Sequence, residues 1–367
     1  MYESRIAADE VMVAASNGFA PVIDALAARN LSGHGFLRAA WYGAGQSHPG
    51  RTLVVKRKNG TPLAAIPTVP FGPAIAGARK VPGCYWPFRS VLISPDCNVL
   101  ELAQGLERAG TSGLGRVWRL GPTRRDDPAT TILVEAAQIA GWTVLSRAAG
   151  TSWVVDLDNA RAQGWPREST AKRLAKAERR LASVGTVGWR YVRGDDWSDA
   201  VLDQLAAVEA ASWIARETDG SGAKFMAPHQ RALWRDACAD PVLAANLCAT
   251  MVTLDGRPVS FSLDLDDGPI RYGIAGSYMS DLGKYEIGKL ANYRAVSDAI
   301  AAGQSVVDLG AGDSGYKRCM GARPGYQMRD LLFVRSRIAA RLLQRVWGKA
   351  PQQDPAGLVV PLEACHG

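Results

Sequence analysis

The stretch DLGAGDSGYKRCMGA, residues 308 to 322, concentrates residue types that do chemistry. It holds Asp308, a Tyr316-Lys317 pair, and glycines at 310, 312, 315 and 321. It could be a phosphate-cradling loop, a catalytic corner or a tight turn. The first three glycines have the GxGxxG spacing of a dinucleotide site. Such a fingerprint belongs to the first strand of a βαβ unit, with an acidic residue ~20 positions later. Here it comes late in the chain. Only a short helical segment and one strand, MRDLLFVRS, follow before the terminal helix. No βαβ units remain to complete such a sheet, so chain order argues against a nucleotide loop.

A better anion candidate lies upstream, in PIRYGIAGSYMSDLGKYEIGKLANYRAVSDAI. An apolar strand from about Ile270 to Tyr278 runs into a loop with Gly283 and Gly288, and a helix follows from about Lys289. A loop feeding a helix N-terminus presents free backbone N–H groups and a positive dipole end. Gly288 would let the backbone approach an anion, and Lys284 and Lys289 add charge. The segment matches neither GxxxxGK[ST] nor GxGxxG, and Glu286 opposes phosphate. An ordinary strand–loop–helix connection is the alternative. A Ser/His/Asp site is not supported: there is no GxSxG elbow, and His229 is the only histidine of the second half outside the tail.

Two helices carry basic rows. RAQGWPRESTAKRLAKAERRLASVG predicts a helix from near Ser169, capped by Ser169 or Thr170, to just before Gly185. Lys172, Lys176 and Arg179 or Arg180 share one face of it. That face is either solvated or a cationic rim for a phosphate-bearing substrate. SRIAARLLQRVWGK predicts an amphipathic helix. Ile338, Leu342, Val346, Leu343 and Trp347 line it beside Arg337, Arg341 and Arg345. Such a helix docks on its own protein or on a membrane surface.

These segments need scaffolds. The chain's 367 residues suit two domains of ordinary size. The hydrophobic content of 47% and charged content of 21% are those of a globular protein rather than a disordered one. A net charge of +8 favours anionic partners. The opening MYESRIAADEVMVAASNGF is not a secretory signal, and no run reaches the ~18 apolar residues of a membrane span. Six scattered cysteines without CxxC, and four histidines away from them, predict neither a metal site nor a disulfide framework. A reduced, cytoplasmic protein is the expectation.

The halves repeat an order. Hairpins are predicted at Asn59-Gly60 and at Asp255-Gly256. NVLELAQGLERAG then leads to the strand RVWRLGP, and KLANYRAVSDAIAAG leads to SVVDLGAG. Gly110 and Gly303 end the two helices. This predicts an internal duplication of two related mixed α/β halves.

The ordered set of segments resembles the GNAT-superfamily acyltransferases of the cellulose-biosynthesis (CelD-like) type, relatives of the FemABX transferases. The resemblance covers about Phe36 to Ser336. It rests on GFLRAAWYGA, NGTPLAAIP, STAKRLAKAERRLASVGTVGWRYV, EAASWIARETDGSG, DGRPVSFSLDL, YEIGKLANYRAV and DLGAGDSGYKRCMGA. It implies an α/β (mixed α+β) fold of tandem GNAT-like domains, each a mostly antiparallel central sheet flanked by helices. The implied division is residues 1–160 for a degenerate first domain, 161–336 for a catalytic second, and 337–367 for an amphipathic helix and tail. Ile274, Ala275 and Gly276 would present backbone to the donor thioester, and Ile287, Gly288, Lys289 and Leu290 would form the pyrophosphate loop. Tyr316 is the implied acid for the departing thiolate. Lys317 matches the lysine of a Phe/Tyr-Lys motif, where a cation would offset oxyanion charge. It could instead cap a helix or pair with Asp308 or Asp313. Asp308, Glu209 and Glu217 are the candidates for a base. Trp213, Glu217, Lys172 and Arg173 are expected at the substrate wall. The sequence departs from the family at Glu286-Ile287, where Ser-Pro is usual, and at Ile214, where lysine is usual.

The resulting expectation is an N-acyltransferase using acetyl-CoA or another acyl-CoA, with no metal. Its acceptor would be the amine of a small anionic or sugar-type molecule. Two alternatives are an aminoacyl-tRNA-dependent FemABX-like transferase and a non-catalytic GNAT scaffold. No DNA partner and no transmembrane segment are expected. Peripheral membrane contact is left open by the terminal helix.

Overall fold

A computed structural model describes residues 11–29, 33–84, 86–217, 222–312 and 315–347. Strands β1 (Val11–Asn17), β2 (Arg51–Arg57), β3 (Pro62–Pro70), β4 (Arg79–Lys80), β5 (Leu92–Ile93) and β6 (Val117–Arg124) come first. Then follow β7 (Thr143–Asp156), β8 (Val187–Arg193), β9 (Leu247–Leu254) and β10 (Arg257–Asp267). The last are β11 (Ile270–Tyr278), β12 (Val306–Ala311) and β13 (Arg323–Val334). The chain forms two compact units: residues 1–150 with 326–353, and residues 151–325 with 354–367. The helix Arg337–Trp347 groups with the first unit.

Unit one orders its strands β1-β2-β3-β4-β6-β13, with β5 on β3. Every pair is antiparallel except β4 with β6. Its core is aromatic. Phe36 stands edge-on to Trp41 and Phe88, and Trp118 stacks on Phe333 with centroids 3.9 Å apart. The β2–β3 hairpin forms at Asn59-Gly60, but Asn59 keeps negative φ and only Gly60 is left-handed, at φ 88. The amide of Gly60 bonds Arg57 O and that of Arg57 bonds Thr61 O. A longer loop with one left-handed glycine therefore replaces the two-residue turn.

Unit two orders β7-β12-β11-β10-β9-β8, the first represented by its residues after 150. It too is antiparallel apart from one pair, β11 with β12. Its hairpin is the tight form: Asp255 (φ 51) and Gly256 (φ 79) join β9 to β10 with only two residues. The parallel pair requires a crossover, which the helix Ile287–Ala301 supplies. That helix and the linker helix Glu168–Ala182 bury Ala177, Leu181, Ile287, Leu290 and Ala291 against Val252 and Val259. Farther along, Tyr293, Val296 and Ala299 pack with Val155 and Val307. The opposite sheet face carries Phe261 against Phe225, below the helix Asp199–Ala210. Both units are thus mixed α/β sheets flanked by helices.

The linker helix starts at Glu168, and its N-cap residue is Arg167 with no side-chain cap, so neither Ser169 nor Thr170 plays that part. Cys84, Cys97, Cys238 and Cys248 are free thiols. Cys319 is disulfide-bonded, which departs from the wholly reduced set that the cysteine spacing suggested.

Candidate active site

Strands β11 and β12 pair through three positions only: Ile270 with Val306, Arg271 with Val307, and Tyr272 with Asp308. β11 continues to Tyr278 and β12 to Ala311. Past Tyr272 the ladder between them ends. On its other edge β11 stays paired with β10, with a bulge that leaves Ile274 unmatched: Ala275 faces Leu263 and Gly273 faces Asp264. A bulge bends a strand and redirects its peptide groups. The result is a wedge whose apex is at Gly273. One wall is the backbone of Ile274, Ala275 and Gly276, with Ile274 buried, Ala275 half-buried and Gly276 exposed. Peptide groups without a ladder partner must bond water or a ligand.

The wedge wall leads to the crossover helix. Glu286 precedes it in the left-handed conformation, φ 56, and gives no side-chain cap. The amides of Lys289 and Leu290 bond Glu286 O, leaving the first-turn N–H groups of Ile287 and Gly288 facing outward from the helix end. Gly288 is fixed by packing: a Cβ there would lie 2.7 Å from Tyr278 Cδ1. A Cβ on Gly276 would lie 3.4 Å from Asn292 Oδ1 and 3.5 Å from Phe261 O. The Glu286 carboxylate turns away from the amides to two cations. Arg173 Nη2 donates to it at 2.7 Å and Lys289 Nζ at 2.7 Å. Burial works against the Glu286 charge, but the Arg173 and Lys289 bonds outweigh it and hold the carboxyl below its ordinary range. A phosphate here would find two cations already paired to one carboxylate.

The other wall comes from β12 and the turn after it. Asp308 is buried, and its Oδ1 accepts from Ser152 Oγ at 2.7 Å and from the Gly310 amide at 3.0 Å. Lys317 is 3% exposed. Its ammonium donates to the carbonyls of Gly310 (2.9 Å), Ala311 (3.0 Å) and Gly312 (2.8 Å). Three carbonyls of one turn thus surround the ammonium. The glycine-rich stretch therefore wraps its own lysine. Tyr316, one residue earlier, begins the short helix Tyr316–Cys319 and is exposed. Asp313 lies outside the described residues.

The expected substrate wall is only partly gathered. Arg173 reaches the crossover helix start through Glu286, whereas Lys172 pairs with Glu168 on the exposed side of its own helix. Trp213 opens the short helix Trp213–Glu217 and is half-buried; the side chain of Glu217 lies outside the described residues. Glu209 is an anchor. Its carboxylate accepts the amides of Lys224, Phe225 and Met226. Burial nevertheless pushes its carboxyl upward, against those bonds.

One group escaped the sequence reading. Under the crossover helix sits a buried ionic cluster. Asp266 pairs with Arg271 at 2.6 Å and with Arg193. Arg271 Nη1 bonds Ala295 O. Two residues before Asp266, Asp264 is buried beside the wedge apex, with Ser262 Oγ donating to it at 2.9 Å. Burial pushes its carboxyl up to about 6, against the pull of Arg271. The signal was present: SFSLDLDD places carboxylates at every second position of an otherwise apolar strand, on the face that the crossover helix covers.

Residues 168–318 match the family model of the acetyltransferase (GNAT) domain. The match spans the wedge, the crossover helix and the Tyr316-Lys317 pair. No curated protein sequence matches the chain. Among solved structures, FemX is similar with a TM-score of 0.59 at 11% identity, over 88% of this chain and 98% of that one. The C-terminal domain of a protein described as a lysylphosphatidylglycerol synthetase from Agrobacterium fabrum gives 0.53 at 13% identity, over 88% and 93%. L-PGS from Bacillus licheniformis gives 0.50 at 15% identity, over 80% and 88%. At these identities the likeness is one of fold. Among the described residues no cluster of histidine, cysteine or carboxylates could hold a metal, and no helix is long and apolar enough to cross a membrane.

Proposed function

We propose that unit two is a GNAT-type N-acyltransferase that takes an acyl group from acyl-CoA to an amine. The observation that carries this reading is the early end of the β11–β12 ladder. A thioester carbonyl can enter the wedge and accept from the freed backbone of Ile274 to Gly276, as an oxyanion hole does. The donor's phosphates would then meet the outward-facing amides of Ile287 and Gly288, with Lys289 and Leu290 continuing the same turn. Tyr316 is the proton donor to the thiolate in this scheme. Lys317 and Asp308 act as positioning residues that shape the β12 side, Lys317 through the carbonyls of its own turn and Asp308 through Ser152 of β7 and the Gly310 amide. The amine attacks the carbonyl, the C–S bond breaks, and the amine's proton leaves to water or a nearby carboxylate. The CelD-like subtype and an anionic or sugar-type acceptor rest on the sequence resemblance and the basic charge balance.

Calorimetry with acetyl-CoA and longer acyl-CoAs tests the donor. Saturable binding is expected. Glu286→Gln removes a negative charge from the helix start and should tighten binding about two- to fivefold. Absence of binding by any acyl-CoA would sink the reading and favour a non-catalytic scaffold.

A second reading is transfer from aminoacyl-tRNA, cytoplasmic like the first. It is supported by the exposed row Lys172, Arg173, Lys176, Arg179 and Arg180 on the linker helix and by the FemX-like fold. Co-purifying tRNA that dissociates with salt, and transfer abolished by ribonuclease, would select it.

A further inference from the structure

The helix Arg337–Trp347 of unit one is amphipathic in an unusual way. One side is docked: Ala339, Ala340, Leu343 and Trp347 pack with Leu145, Leu332 and Val334. Trp347 also receives Arg147, whose guanidinium lies 4.1 Å from the ring centroid. The adjoining side is as apolar but uncovered. Ile338 is 73% exposed, Leu342 61% and Val346 59%. They stand four residues apart and so form one continuous strip. Arg337, Arg341 and Arg345 form the next strip round the helix, and the helix carries no acidic residue.

A second exposed apolar point lies at the same end of the unit. Ile75, 99% exposed, tops the β3–β4 connection. That connection abuts residue 115, where a Cβ would collide with the Gly77 carbonyl. The next residue, Arg116, accepts from the amide of Arg335 at 3.0 Å, two residues before the helix. Phe71, in the same connection, is also exposed and stacks under Lys80. Two separate segments thus place uncovered Ile, Leu, Val and Phe side chains among Arg116, Arg337, Arg341, Arg345 and Lys80.

We propose that this end of unit one docks on an anionic phospholipid surface. Ile338, Leu342, Val346 and Ile75 enter the headgroup–acyl boundary, and the arginines pair with lipid phosphates. The charge pattern selects this occupant. A bilayer rich in anionic lipid complements a purely cationic strip, whereas a second copy of the same face would bring like charges together. Arginine suits this part because its fork pairs with phosphate oxygens while its stem lies along apolar surface.

Vesicle co-sedimentation with the full chain tests the proposal. With equal parts of phosphatidylcholine and phosphatidylglycerol the protein should pellet, and with phosphatidylcholine alone it should stay in the supernatant. The double variant Ile338→Glu, Leu342→Glu should lower the bound fraction about tenfold or more, and Arg341→Gln, Arg345→Gln about tenfold with a flatter salt dependence. Each changed side chain is exposed, so unchanged thermal unfolding should accompany the loss. Failure to pellet on anionic vesicles at low salt overturns the proposal. So does a dimer, seen by light scattering, that the double glutamate variant dissociates while wild-type protein ignores vesicles. That outcome would give the strip to a second copy.

Discussion

The two units use one plan and finish it differently. Among the described residues each shows one parallel strand pair, and each has a helix leading into the second strand of that pair. In unit one the first strand, β4, is two residues long, and the helix Val99–Ala109 begins under a complete capping box. Asn98 Oδ1 accepts from the Glu101 amide, and Glu101 returns the bond to the Asn98 amide. Arg57 then fixes the Glu101 carboxylate at 2.7 Å. The N-cap amide and the third amide of the helix are thereby satisfied by the protein's own side chains. In unit two the first strand is nine residues long, leaves its partner early, and the helix starts without a side-chain cap. The carboxylate at that helix start is drawn off by Arg173 and Lys289. An anion is disfavoured at a helix start whose own carboxylate folds back over it, as Glu101 does, and less so where that carboxylate is drawn aside, as Glu286 is. This supports the proposal that unit one is the degenerate half.

The largest expected effect concerns two cations that each hold backbone carbonyls, Lys317 in unit two and the half-buried Arg89 in unit one. Lys317 holds three carbonyls of unit two. Arg89 of unit one is its counterpart, donating to Gly121 O at 2.6 Å and Gly83 O at 3.1 Å. Replacing either by Met strands buried carbonyls, at a cost of about 3 kcal/mol in urea unfolding. Only Lys317→Met should also reduce acyl-transfer turnover, by more than about tenfold, because only its turn borders the wedge. Equal turnover in folded Lys317→Met would remove the lysine from the mechanism, and a matching turnover loss in Arg89→Met would erase the distinction between the units.

A smaller pair of changes sharpens the same contrast. A Cβ on Gly288 would meet Tyr278 Cδ1 at 2.7 Å, and one on Gly105 would meet Val55 Cγ1 at 2.6 Å. Both alanine variants should lose about 1–2 kcal/mol through overpacking. Gly288→Ala should in addition weaken acyl-CoA binding about tenfold, since it shifts the helix end that faces the donor. Gly105→Ala, in the helix already closed by Glu101, should leave donor affinity unchanged. Calorimetry on the two variants decides it.

The sequence carried the frame well and the side-chain commitments poorly. β11 occupies Ile270–Tyr278 as its apolar run predicted, and Gly110 and Gly303 stand at the helix ends with positive φ. These features depend on local pattern. Asp255-Gly256 forms the tight turn, but Asn59-Gly60 does not, because turn type also depends on where the flanking strands stop pairing. The early end of the β11–β12 ladder has no local signature at all. It depends on two strands separated by a helix. Lys317 stood out by type, yet its partners are carbonyls seven to five residues before it, and carbonyls are invisible in a sequence. Arg173 showed as one member of a basic row, while its bond to Glu286 spans 113 residues.

Two buried carboxylates give the last contrast, a matter of pH. In unit one, burial opposes the charge of Asp127, but His34 at 2.5 Å, Ser90 at 2.6 Å and Thr130 outweigh it and lower its pKa. In unit two, burial wins at Asp264 and raises its pKa to about 6. The signs differ accordingly. A lowered pKa adds stability that is present above the unfolded value and fades as pH falls through the folded one. A raised pKa adds stability that is full below the unfolded value and is lost as pH rises through about 6. Asp264→Asn should therefore be more stable than wild type at pH 8, by about 1–2 kcal/mol, with the advantage vanishing near pH 4. Asp127→Asn should be less stable than wild type at pH 8 and approach it in acid. Urea midpoints from pH 4 to 8 read both. If the two variants moved in the same direction, the buried carboxylates of the two units would be alike, and Asp264 would be ionised at the wedge apex at neutral pH at no cost.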